Sequence, residues 1–175
     1  MTTYEDIYFE TGKTKEIEER ILNLQKEGKY LEAIMWFAAI FEAEATILIS
    51  LNEKMASTFL DNVGVKVKAR MADDIRKENK TLGSLKKELE KYYQKESFIK
   101  NFDNFIYLRN FLMHKIFETK IGINYINEKI AKDALDDFWT LGKDFSKKIY
   151  EAFKKYVPLL EKESKILKKE IKNKS

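Results

Sequence analysis

The chain has no cysteine, one proline, six glycines and a single histidine in 175 residues. Without cysteine there is no disulfide and no thiolate metal site, which suits a reducing cytosol, so a cytoplasmic location is expected. One histidine and no cysteine leave no zinc set, and neither a metal nor any other cofactor is expected. Scarce proline and glycine count against strand-rich folds, which use turn residues freely, and for helices. No phosphate-cradling glycine loop is present. No spare histidine exists to activate a serine or threonine, so a serine hydrolase is not expected. Arginine is rare too, at four of the 33 basic residues. The opening MTTYEDIYFE is acidic and has no basic n-region, so no signal peptide is expected.

What is there is apolar periodicity. At 175 residues with 44% apolar content, one domain with a real core is expected, covering 1–175. Residues 1–12 read as an irregular N-terminus. From Thr14, a candidate cap, Ile17, Ile21 and Leu24 recur at helical spacing, and Gly28 ends that helix. A long helix is predicted over 30–55. Its stretch Leu31–Leu51 resembles a membrane span, but Glu32, Glu42 and Glu44 interrupt it, and a core helix with no membrane contact is expected. Val63, Val65 and Val67 alternate, as in a short strand or an extended loop. TLGSL starts a third helix after Thr81 or Gly83. A fourth is predicted over 96–117, and KIGINYIN reads as a loop or a small strand. From Glu128 a further helix carries Leu135, Phe138, Leu141, Phe145 and Ile149 as one stripe. Pro158 should break or kink it, leaving a Lys-rich terminal helix over 159–175. The expected fold is all-α, an up-and-down bundle of four to five main helices plus a C-terminal helix. The net charge of +4 gives only a mild hint of an anionic partner.

The fourth helix contains YLRNFLMHKIF, which holds the only His and one of the four Arg. Measured at about 100° per residue from Phe105, the residues Phe98, Phe102, Leu108, Leu112 and Ile116 form a core stripe. Asp103, Tyr107, Asn110 and His114 lie together on the opposite side. Tyr107, Asn110 and His114 are hydrogen-bonding groups with no Lys or Glu among them, unlike a merely solvated face of this chain. Asp103 lies about three turns from His114 and is given no catalytic role. Arg109 falls near the apolar stripe, about 140° from His114, so it should snorkel or be paired inside. Glu44, on the apolar stripe of the long helix, needs a cation or donor, and an approach to Arg109 or Tyr107 is expected.

An imidazole can give or take a proton at neutral pH, and a guanidinium can hold a phosphate and stabilise charge on it. Together with an amide they suit attack on a phosphodiester. RNA supplies its own 2′-hydroxyl nucleophile, so a metal-activated water is not required. One proton must be taken and another given, yet the chain has one His. A two-fold dimer through this face would supply the second.

RNFLMH resembles the Arg-polar-x3-His form of the Arg-x4–6-His motif of HEPN domains, with Asn110 as the polar residue after Arg109. These domains are small helical bundles with the motif on a late core helix, and the likeness spans roughly 13–156. It implies a metal-independent endoribonuclease of toxin–antitoxin or antiviral defence systems, with RNA as substrate, a homodimer, and an antitoxin or defence-system partner. By position, Arg109, Asn110 and His114 would be catalytic, with Glu44 and Tyr107 in support. The sequence departs from one subgroup, in which Tyr stands where Ile116 stands here. The alternative implied is a non-catalytic helical module for dimerisation or nucleotide binding. Asp73 with Asp74, and Asp133, Asp136 and Asp137, read as solvated or capping residues rather than a magnesium site, since neighbouring helix residues point about 100° apart.

Overall fold

Each apolar stripe becomes a buried helix face in the computed structural model, which describes residues 13–78, 81–118 and 131–174. Helices α1 (Lys13–Lys26), α2 (Tyr30–Asn62), α3 (Ala72–Glu78), α4 (Leu82–Tyr93), α5 (Ser97–Glu118) and α6 (Lys132–Lys174) form an all-α bundle, with no strand among the described residues. α2 is central and packs against each of the other five. It is long and apolar enough to cross a bilayer by length and composition; its core stripe, with Phe37, Phe41 and Leu48, is buried in the bundle, while Met35, Trp36 and Phe59 are exposed.

Local chemistry explains the helix ends. Gly28, at φ +70°, follows α1 in the left-handed conformation that glycine adopts without a Cβ clash. There Lys29 N donates to Leu24 O at 2.8 Å and Gly28 N to Gln25 O at 3.1 Å, the double bond of a Schellman ending. Gly64 closes α2 in the same way. Thr81 caps α4: its hydroxyl accepts from Ser84 N at 3.1 Å, and Ser84 Oγ accepts in return from Thr81 N at 3.3 Å. Thr81→Ala should lower stability by about 1 kcal/mol, read as a shift in the urea midpoint at unchanged slope.

The core is a cluster of aromatic rings. Phe41 meets Phe105 edge-on at 4.7 Å and stacks on Phe145 at 5.6 Å, while Phe105 meets Phe138 at 4.7 Å. Leu135, Phe138, Leu141, Phe145 and Ile149 are all buried, as their spacing predicts. On α5, Phe98, Phe102, Phe105 and Leu112 are buried and Leu108 is half-buried. Trp139 lies across Phe37 and donates from Nε1 to Gln25 Oε1 at 3.1 Å, tying α6 to α1.

Two expectations are corrected, and one that left two alternatives is decided. α2 runs to Asn62, about two turns beyond the predicted end, since nothing before Gly64 stops it. Of the strand or extended loop expected at Val63–Val67, the loop is what forms: residues 65–71 make no strand, and Ser50 Oγ donates to Arg70 O at 3.2 Å and Ser57 Oγ to Val67 O, which lays this segment along α2. Pro158 does not break the last helix, and α6 passes through it as one element. Pro158 and Lys154, the residue four back whose carbonyl loses its donor, are both exposed, so water can replace the missing bond. KIGINYIN and residues 1–12 lie outside the described residues.

Arg70 fastens the segment to two further helices. It pairs with Glu53 of α2, Glu78 of α3 and Glu88 of α4, and its backbone N–H donates to Glu53 Oε2 at 2.9 Å. Burial alone would push the Glu53 carboxyl up. The side-chain and backbone hydrogen bonds from Arg70, with its charge, outweigh that and hold it below the ordinary glutamate value. Glu88 is held low by Lys91 and, after it, by Arg70. Both folded values lie below the unfolded ones, so the stabilisation is complete above the ordinary glutamate range. It is lost as pH falls through the folded values. Urea unfolding across that acid range should show stability falling, with a shallower fall in Arg70→Met.

Candidate functional site

A cleft of about 530 Å³ opens between α2, the start of α4 and α5. On α2 it is lined by Met35, Ala38, Ala39 and Glu42. Their three- and four-residue spacing places them on one face, away from the Phe37–Phe41–Leu48 core stripe. Two adjacent alanines keep that wall low. α4 contributes Thr81, Leu82 and Gly83, so its N-terminus, where backbone N–H groups lack intrahelical acceptors, borders the cleft. α5 contributes Ile106, Arg109 and Asn110.

Arg109 is half-buried, and one guanidinium nitrogen, Nη1, donates to Asn110 Oδ1 at 3.0 Å. That bond turns the guanidinium toward the neighbouring amide. Its Nε is buried with no acceptor among the described residues. The same side chain borders a smaller apolar hollow of about 170 Å³ with Ile34 and Leu112. Of the two fates expected for Arg109, this is snorkelling: the stem rests on apolar surface and the head reaches the cleft.

His114 is exposed and does not line the cleft. It stands one turn beyond Asn110 on the same face of α5, about 6 Å along the axis. A single chain therefore brings Arg109 and Asn110 together and leaves His114 outside them. Tyr107 is 72% exposed and stacks on Phe111, ring centroids 6.5 Å apart, which makes an aromatic ledge on the side of α5 that carries His114. Lower on this face the charges are taken up: Asp103 pairs with Lys86 at 3.2 Å and Glu96 with Lys148 at 2.6 Å.

Glu44 takes another place than expected. It is buried, and Ser146 Oγ of α6 donates to its Oε1 at 3.3 Å. Arg109 spends its own hydrogen bond on Asn110. The reason is angular: Glu44 and Glu42 lie about 200° apart on α2, so it is Glu42 that faces the arginine cleft. Glu42 stands out in the sequence only as an interruption of an apolar run. The spacing Met35–Ala38–Ala39–Glu42 was the available signal, a second face that is small and polar-ended.

Among the described residues no three His, Asp or Glu side chains gather as metal ligands. Asp73 pairs with Arg76 at 3.7 Å, Asp74 accepts from Met71 N at 3.3 Å as a cap, and Asp133, Asp136 and Asp137 are exposed. The class that fold and site define is an all-α bundle with an arginine–amide cleft beside an exposed histidine. Among known proteins, no family model, curated sequence or solved structure matches the chain.

Proposed function

We propose that the protein is a metal-independent endoribonuclease of HEPN type that cuts RNA in a site shared by two copies of the chain. One observation carries the reading: Arg109 and Asn110, bonded to each other, open onto a cleft, and the only histidine stands exposed one turn away on the face of Asn110. That arrangement supports the roles implied by the RNFLMH resemblance. The exposed Tyr107–Phe111 ledge suits cover by a second copy, since exposed aromatics beside a polar face are typical of interfaces.

In this mechanism one His114 takes the proton of the 2′-hydroxyl, whose oxygen attacks the adjacent phosphorus. The P–O5′ bond breaks, and the second copy's imidazole protonates the leaving 5′-oxygen. Arg109 holds the phosphate and stabilises the charge that builds on its oxygens, while Asn110 orients the guanidinium. The products carry a 2′,3′-cyclic phosphate and a 5′-hydroxyl. A role in a toxin–antitoxin or defence system, in the cytoplasm, belongs to the same proposal. The test is incubation of the purified protein with RNA in EDTA, followed by analysis of the new termini.

The separation of Arg109 from His114 around α5, about 140°, favours a second reading. In it the same face is a docking surface of a non-catalytic module. No cleavage at any protein concentration would select it.

A further inference from the structure

We infer that the cleft is a base-selective pocket for the RNA nucleotide next to the scissile phosphate, and that Glu42 selects guanine there. This rests on the ribonuclease reading in one respect, that Arg109 holds the phosphate end.

Glu42 is half-buried on α2 and lines the same cleft as Arg109 of α5, yet among the described residues the two make no ion pair with each other. Opposite charges that share one cavity without meeting call for a ligand with two unlike ends. One end must be anionic. The other must donate hydrogen bonds, because an ionised carboxylate only accepts. The wall between them is apolar and low, built from Met35, Ala38, Ala39 and Ile106. A flat base fits such a wall, and a thioether packs well on an aromatic ring. The volume, about 530 Å³, is of the size that holds a small ligand. A nucleotide has this layout: a phosphate, a flat ring, and a hydrogen-bonding edge.

The edge decides which base. Guanine presents N1–H and the N2 amino group side by side, two donors for the two oxygens of one carboxylate. Adenine and cytosine set a ring-nitrogen lone pair beside their amino group, and uracil flanks one N–H with two carbonyls. Each of those three turns a lone pair toward Glu42.

The experiment is calorimetric titration of the full-length protein with the four nucleoside 3′-monophosphates. Guanosine 3′-monophosphate should bind about 5- to 150-fold more tightly than the others, the range of a two-pronged base contact. Glu42→Gln, which keeps the shape, and Glu42→Ala should both level the four affinities, whereas Arg109→Ala should weaken all four together. Equal binding by the unmodified protein, no binding of any of the four, or a guanosine preference that survives both Glu42 variants overturns the inference. RNA cleavage is scored separately. Cleavage with a flat nucleotide profile ends the guanine pocket and leaves the ribonuclease; a guanosine preference without cleavage does the reverse.

Discussion

His114→Ala is expected to remove RNA cleavage, by about 10²- to 10⁴-fold, the usual contribution of general acid–base catalysis. The high end applies because a shared site would lose its proton acceptor and its proton donor in one substitution. The fold should not notice. His114 is exposed, and exposed positions away from caps and networks change stability by about 0.5 kcal/mol or less. The decisive comparison is the cleavage rate of an end-labelled RNA in EDTA, parent against variant, alongside the thermal midpoint and the size-exclusion profile. Equal rates would remove the imidazole from the mechanism. A variant that lost both activity and its dimer would point to an interface role instead.

Phe41→Ala should produce the largest loss of stability, about 3–5 kcal/mol. Phe41 is fully buried and touches rings from three helices: Phe37 of α2, Phe102 and Phe105 of α5, and Phe145 of α6. Truncation removes these contacts and leaves a hole that rings anchored on separate helices can close only partly. A domain of ordinary stability has about 5–15 kcal/mol in all, so the variant should sit near its unfolding limit. Urea unfolding gives the measurement. Nucleotide binding in the cleft should weaken with it, because the walls of the cleft are the far face of the same α2 and the flank of the same α5. Phe41→Leu keeps most of the volume and should cost much less. A midpoint within the error of the parent in Phe41→Ala would show that this ring is not central to the core.

The helical skeleton was largely legible from residue types. Gly28 stops α1 and Thr81 starts α4 because a left-handed turn and a hydroxyl cap are local requirements, met within a few residues. The buried faces of α5 and α6 followed from spacing alone. The misreading at Pro158 was also local: proline breaks a helix only where its lost hydrogen bond cannot be replaced, and that depends on exposure. Valine alternation at 63–67 left strand and loop both open, and with no strand among the described residues to pair with, the loop formed.

The candidate site divides along the same line. That Asn110 and His114 share a face of one helix, with Arg109 turned away from it, is helix geometry, and the sequence by itself determined it. That Arg109 shares a cleft with Glu42 while Glu44 meets Ser146, and that Arg70 draws in carboxylates from three helices, was decided by tertiary structure. Periodicity specifies which side of a helix a residue occupies, but which other helix lies on that side, and at what height, is set only when the rings of the core pack together.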